Sequence, residues 1–366
     1  MSIKIRDLKP DDMPKICELL RTREGLDEDG VQKRKILMEW CAFKNPFAGN
    51  ETTYFIAEDQ GGIIAHIGRM PMKFIINGDL QKGYYIHDLY VHPEYRKKGM
   101  GFFLSMAFYR IIEENSDSLC FCPWHKAINL EFHRKRGYPE LSADKYKKIL
   151  NPTYELKKIL KIDFAARLLA VFVRGILVTA DFFIKLYYHK YQQKVTKVSR
   201  FDFAFDNLSQ RLSTTINISP LKSSEYLNWK YIDRPYSKME ALAISEEGEI
   251  VGFVVLGMGG TTECPEGTII DISADPGNKV TVYFLCRAAI DYFKQRKVQS
   301  IKCCLTDPRF AKIFTRLLFF KISGAYPFTI INIKKAKDQK YIIDTKNWHL
   351  TFGDSDWTMF SVRPIV

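Results

Sequence analysis

A chain of 366 residues with 46% hydrophobic content has enough apolar side chain for two cores, each in a unit of roughly 150 residues. Its formal charge of +13 is unevenly spread, because residues 147–200 hold twelve Lys/Arg against three Asp/Glu, a net +9. Most of the eight cysteines lie inside apolar stretches (Cys120, Cys122, Cys286, Cys303, Cys304) and no secretory signal precedes them, which favours buried, reduced thiols in a cytoplasmic protein over a disulfide-stapled secreted fold.

In chain order, residues 3–5 read as an opening strand and 11–21 as a capped helix. Residues 53–58 and 63–69 pair as a hairpin across Gly61-Gly62, and 72–76 and 84–91 supply two more strands. A helix is predicted over 102–114, a strand over 118–122, and a helix over 126–136 that ends at Gly137-Tyr138. Residues 22–50 are where variable, specificity-setting loops are expected. The pair Cys120-x-Cys122 lacks a second half-site, so no metal is expected.

The richest stretch is 87–101, HDLYVHPEYRKKGMG. An apolar strand (Leu89, Tyr90, Val91) runs into a turn at Pro93, and Arg96-Lys97-Lys98-Gly99-Met100-Gly101 leads into the helix from Phe102. Glycines at alternate positions let the backbone curl so that successive amide N–H groups converge. The positive end of the helix and three cations add to that field. Such a nest suits a pyrophosphate.

Strand, proline turn, Arg-x-x-Gly-x-Gly and helix together resemble the acetyl-CoA signature of the GNAT acyltransferase superfamily, and the element order of the first 140 residues resembles the family's core. The resemblance implies that acetyl-CoA, or another acyl-CoA, binds at Arg96, Lys97, Lys98, Gly99, Met100 and Gly101. Main-chain N–H groups of the splayed strand at Leu89, Tyr90 and Val91 would polarise the thioester carbonyl. His87 stands where many relatives place the Glu of a Glu-Asp pair. Strand alternation puts His87, Leu89 and Val91 on one face, which makes His87 a base candidate, or else a histidine bonded within the strand layer. Asp88, facing the other way, is the alternative base. The family's closing helix usually carries Tyr four residues before its Gly; here that position is His133, an acid candidate or an exposed residue of a basic helix. His66 and His125 stand isolated, and no cysteine is expected beside a histidine at the cleft.

The second half repeats the first in worn form. Trp229-Lys230-Tyr231 echoes Trp40, residues 240–246 and 250–257 form a hairpin across Glu247-Gly248, and 268–274 and 299–305 echo the central strands. Asp275-Pro276-Gly277-Asn278-Lys279 does not reproduce the glycine loop, so this unit should not hold a pyrophosphate in the same way. Segment 201–212, the Trp-Lys-Tyr element and 353–357 (GDSDW) resemble bacterial tandem GNAT proteins often linked to surface-polysaccharide pathways. Asp354 and Asp356 are a substrate-side carboxylate pair or a solvated turn.

Between the halves, residues 162–188 read as one helix. Asp163, Arg167, Arg174, Asp181 and Lys185 fall within a stripe of roughly 40° at about 100° per residue, and the rest is apolar. No run is long enough to cross a bilayer. The helix either packs on both units or a second subunit, or docks on anionic lipid helped by Lys190, Lys194, Lys197 and Arg200. No nucleic-acid module is present.

The expected architecture is an α/β protein of tandem GNAT folds, each a mixed, mostly antiparallel sheet flanked by helices. Residues 1–146 form the acyl-CoA unit, 147–200 a basic amphipathic linker and 201–366 a degenerate second unit. The resemblance implies acyl transfer to an amine or hydroxyl, such as an amino sugar or glycan precursor, by a cytoplasmic or membrane-peripheral enzyme of open oligomeric state. An aminoacyl transferase of the peptidoglycan-bridge type and a non-catalytic acyl-CoA sensor or membrane scaffold are the alternatives.

Overall fold

Turn-forming residue pairs between apolar runs build the sheet first. At Gln60-Gly61, Asn77-Gly78 and Glu247-Gly248 both residues take positive φ (51° to 85°), the geometry of tight hairpins. The computed structural model describes residues 3–114, 118–123, 127–160, 162–236, 239–261, 264–333 and 338–355. Among them, β1 (Lys4–Asp7), β2 (Tyr54–Asp59), β3 (Gly62–Ile76), β4 (Asp79–Val91), β5 (Leu119–Pro123) and β6 (Glu140–Ile149) come from the first half. The second half supplies β7 (Val195–Val198), β8 (Ile218–Pro220), β9 (Glu240–Glu246), β10 (Glu249–Gly260), β11 (Pro265–Ala274), β12 (Ser300–Leu305), β13 (Phe320–Lys321) and β14 (Tyr326–Ile331).

All fourteen join one sheet, ordered β1-β2-β3-β4-β5-β14-β6-β12-β11-β10-β9-β7, with β8 beside β3 and β13 beside β6. Only β4–β5 and β11–β12 run parallel. The expected α/β class, with a mixed and mostly antiparallel sheet flanked by helices, is what the chain adopts.

The two lobes exchange strands. In the first, β14 lies between β5 and β6, pairing Phe328 with Pro123 on one side and with Leu141 on the other. In the second, the later part of β6 lies between β12 and β13, pairing Ser300 with Ile149 and Phe320 with Lys147. The segments 1–146, 147–200 and 201–366 follow the chain, whereas the hydrogen bonds cross those limits. The C-terminal segment also enters the first lobe's core: Trp348 is fully buried, stacked on Phe121 at 5.7 Å, with its indole N–H bonded to the Ile342 carbonyl at 2.7 Å.

Two local expectations need correction. Residues 63–69 and 72–76 are one strand, β3, which passes through Pro71 where it has left β2 (last pair Gly68) and not yet met β8 (first pair Phe74). Residues 22–50 are not mainly loop, since Glu28–Phe43 is a helix capped by the Asp27 carboxylate on the Gly30 N–H. Its apolar residues serve two faces: Met38 and Cys41 enter the core, while Trp40 stacks on Trp229 at 4.3 Å. No single apolar stripe marks it in sequence. The paired tryptophans are the residues whose echo the repeat suggested.

Because β14 and Trp348 complete the first lobe, residues 1–200 expressed alone should be insoluble or melt without cooperativity, and co-expression of 201–366 should rescue them. Trp348→Ala in the whole chain should cost about 3–5 kcal/mol in urea denaturation. A cooperatively melting 1–200 fragment would contradict the exchange.

Candidate active site

β4 and β5 pair only over Gly83–Tyr85 and Leu119–Phe121, yet β4 runs on to Val91. The strands therefore diverge, and the main chain near residue 88 faces the gap. The side chain of Asp88 is 2% exposed while the residue as a whole is half-buried, so what solvent sees there is backbone. Leu89 and Tyr90 are likewise half-buried, and Val91 is buried.

After Val91 the chain makes one helical turn, Pro93–Lys97, capped by His92 Nδ1 accepting from the Glu94 N–H at 3.2 Å. Tyr95 pins this turn to the sheet by donating to Asp59 at 2.7 Å. Gly99 follows at φ +75°, with no heavy atom within 4 Å of where a Cβ would stand. The Met100–Glu114 helix starts directly behind it, and its first N–H groups lack intrahelical partners. Arg96, Lys97 and Lys98 are exposed. Arg96 lies 5.7 Å over the Tyr90 ring, Lys98 lies 5.5 Å over Tyr95, and Lys97 is paired with Glu94 at 2.9 Å. The sequence expected this constellation, and the structure brings it together as an open, cationic turn.

The strand-facing argument for His87 and Asp88 fails. β3 and β4 pair Gly68 with His87 and His66 with Tyr90, so Ile67 alone faces both Asp88 and Leu89. This is a β-bulge, and Asp88 takes φ +52° at it. The extra residue breaks the alternation and turns Asp88 to the same side as His87. Tyr54 Oη lies 3.5 Å from His87 Nδ1 and 3.4 Å from Asp88.

Around this pair stand residues the sequence did not rank. Arg34, from the helix expected as loop, hydrogen-bonds the Asp88 carboxylate, and Arg23 approaches it at 3.5 Å. His66, expected to be isolated, has Nδ1 3.8 Å from Asp88. Cys41 Sγ is 3.9 Å from His87 Nε2, so a cysteine does sit beside a histidine here. Its thiol is pushed far up by burial, which keeps it from acting as a thiolate. Gly68 makes room for this packing, since a Cβ there would fall 2.2 Å from the His87 ring.

Burial sets the protonation states. It depresses His87 to about 3 and His66 to about 4, with Asp88 opposing the shift in both. Burial would raise Asp88, but the charge of Arg34, then those of His66 and Arg23, outweigh it and hold the carboxyl down to about 2. At neutral pH the cluster is therefore two neutral imidazoles around one carboxylate committed to Arg34.

His133 is not exposed on a basic helix. It is buried, with Nε2 2.8 Å from Tyr109 Oη and Nδ1 2.5 Å from Thr329 Oγ1 on β14, and so links the lobes. Asp354 is also enclosed rather than solvated, held by the Thr351 N–H at 2.8 Å with Lys222 and Lys230 each 3.9 Å away. Asp356 and His125 lie outside the described residues. No cluster of metal-ligating side chains occurs among the described residues.

The matching helix end in the second lobe is closed by its own side chains. Asn278 caps Lys279–Gln295 by accepting from the Thr281 N–H at 3.1 Å, and Asp275 takes the Gly277 N–H at 2.8 Å. A cavity of about 630 Å³ lies between the lobes, lined by Trp40, Trp229, Arg200 and Asp233 among others. It includes none of the sequence-predicted site residues.

Residues 14–138 match the model of the Acetyltransferase (GNAT) family. No curated protein sequence matches the chain. Among solved structures, Saccharomyces cerevisiae N-myristoyltransferase with bound myristoyl-CoA is similar at a TM-score of 0.56 and 13% identity, over 90% of this chain and 83% of that one. A GCN5-related N-acetyltransferase from Anabaena variabilis is similar at a TM-score of 0.58 and 13% identity, over 90% and 72%. At such identities the likeness is one of fold, and it extends over both lobes.

The buried imidazoles make an acid prediction. An unfolded chain protonates His66 and His87 near pH 6.5, whereas the folded chain resists until about 4 and about 3. Protons therefore favour unfolding throughout that window, and stability should fall as pH drops from 6.5 towards 4 by up to ~1.4 kcal/mol per unit per histidine. The contribution of Asp88 acts lower, being intact above its unfolded value of 3.8 and lost as pH falls through about 2. Urea titrations at stepped pH should show the slope, and His66→Gln with His87→Gln should flatten it. A wild-type profile flat between pH 6.5 and 5 would contradict the burial account.

Proposed function

We propose, from the match of residues 14–138 to the GNAT family model, that the chain transfers an acyl group from acyl-CoA to an amine or hydroxyl acceptor by direct attack on the thioester. The observation that carries this reading is the open turn at Arg96–Gly101, set at a helix start beside the half-buried main chain of the bulged β4. In the proposed complex the CoA diphosphate sits on the first N–H groups of Met100–Glu114, with Arg96 and Lys98 neutralising it. Backbone N–H groups near Leu89 to Val91 then polarise the thioester carbonyl. Attack forms the new C–N or C–O bond and breaks C–S. The thiolate of CoA can depart unprotonated, given a thiol pKa near 8.5.

The proton from the acceptor is assigned to the His87–Asp88 cluster as one coupled unit. Neutral His87 is in the form a base requires, although burial weakens its hold on a proton, and Asp88 is ionised but engaged by Arg34. His133 has both ring nitrogens engaged and is proposed as a positioning residue for Tyr109 and β14. Amino sugars and glycan precursors are the first acceptors to assay, because the second half resembles tandem proteins of surface-polysaccharide pathways. Acyl donors should range from acetyl-CoA to myristoyl-CoA, the latter being bound by a protein of similar fold.

Calorimetry with acyl-CoA should give one site per chain. Arg96→Ala should weaken binding roughly tenfold to a hundredfold, as expected for a charge-assisted bond. Gly99→Val should weaken it further, since φ +75° is strained for a β-branched residue. Lys279→Ala in the second lobe should change nothing. No binding by any acyl-CoA, or equal losses at Arg96 and Lys279, would overturn the reading; thiol release across acceptors then tests turnover.

A further inference from the structure

The Asp163–Tyr188 helix has 26 residues, about 39 Å at 1.5 Å per residue. One seam is seated on the protein: Ala166, Ala170 and Tyr188 are buried, and Val173, Leu177 and Ile184 are half-buried between them. Near its C-terminal end the helix is fastened to Lys279–Gln295, where Tyr188 stacks on Tyr283 at 3.7 Å and Asp181 accepts from Arg287 at 2.5 Å. At its start, Asp163 pairs with Lys157 at 2.5 Å.

The outward half has no such partner among the described residues. From Phe164 to Tyr187, ten large apolar side chains are 54% to 77% exposed, and five of them are aromatic. At about 100° per residue they cover an arc of roughly 180° that contains no charged residue. An exposed apolar face of this size marks an interaction site. The seam is thus fastened to the second lobe's Lys279–Gln295 helix, and the outward half is left bare.

The charges order themselves at the edge of that arc. Asp163 and Asp181 turn towards the seam and its cations and also pair with Arg167 at 2.7 Å and Lys185 at 3.7 Å, respectively, while Arg167, Arg174 and Lys185 lie nearer the apolar half and are exposed. Lys190 and Lys194 follow, both exposed, while Lys197 and Arg200 are paired with Glu240 and Asp233. The segment 147–200 carries a net +9. Two copies meeting through this face would bring like charges together, while an anionic bilayer neutralises them. Among the described residues no helix is long and apolar enough to cross a membrane.

We propose that the Asp163–Tyr188 helix lies flat on an anionic bilayer surface, its apolar half inserted among the headgroups and acyl chains and its edge cations at phosphate level. This inference does not depend on the acyl-transfer reading. The full chain should float with vesicles of equal parts phosphatidylcholine and phosphatidylserine at low salt. Binding to pure phosphatidylcholine should be about tenfold weaker or more, and high salt should release most of the protein. Leu168→Ser with Phe172→Ser and Phe182→Ser should abolish flotation without changing the melting temperature, since these side chains are more than half exposed. Arg174→Glu with Lys185→Glu should erase the preference for anionic vesicles. Failure to float with anionic vesicles, or retention after carbonate washing, would overturn the proposal. So would a concentration-dependent dimer in ultracentrifugation that the serine variant dissolves.

Discussion

The antiparallel ladder between β6 and β14 is the constraint on which the rest of the molecule depends. Tyr326–Thr329 of β14 pair with Glu140–Ala143 of β6; β14 fills the first lobe beside β5, while the later part of β6 runs on to pair with β12 in the second. Neither lobe's part of the sheet is complete without the other half of the chain. The same crossing sets further contacts between lobes: Thr329 reaches His133, the Tyr85 hydroxyl donates to the Asp354 carbonyl at 2.5 Å, and Trp40 meets Trp229. A buried ionic network continues the seam, with Lys222 on Asp271 and Thr351 bridging Asp271 and Asp354 at 3.0 and 3.2 Å. Removing one member would strand buried charge, which is strongly destabilising.

Within that frame the two lobes differ at one helix end. Both diverging strand pairs lead to a helix, Met100–Glu114 in the first lobe and Lys279–Gln295 in the second. The first helix begins behind a glycine with nothing over it, and the second begins under its own Asn278 and Asp275. Donors that an external anion would need are thus offered on one side and satisfied internally on the other. The asymmetry follows from a few loop residues on a shared scaffold.

Much of this was legible in the sequence, for local reasons. Hairpin glycines, the Arg96–Gly101 motif and the apolar periodicity of 162–188 are short-range signals, and the hairpins near 60 and 247, the cationic turn and the long helix lie within a residue or two of where they placed them. What escaped was non-local. The strand exchange needs a pairing between residues about 185 positions apart, such as Leu141 with Phe328, which no window of the chain contains. The bulge at Asp88 is specified by the partner strand's register, so alternation read from β4 alone pointed Asp88 the wrong way. Arg34, Cys41 and His66 reach the His87–Asp88 cluster from two other elements, and the helix carrying the first two lacks a single apolar stripe because it serves two interfaces. His133, read as an acid candidate or as exposed beside Arg134, Lys135 and Arg136, is buried because Tyr109 and the non-local strand β14 close over it.

The central claim is that one lobe of an interlocked pair offers an open anion-binding turn and the other does not. Amide hydrogen exchange on the intact chain, with and without saturating acyl-CoA, tests it most directly. The account expects slowed exchange in the amides of 96–104 and of the bulged strand near 88–91, with no change over 275–283. Protection over 275–283, or none over 96–104 at concentrations that saturate binding, would contradict it.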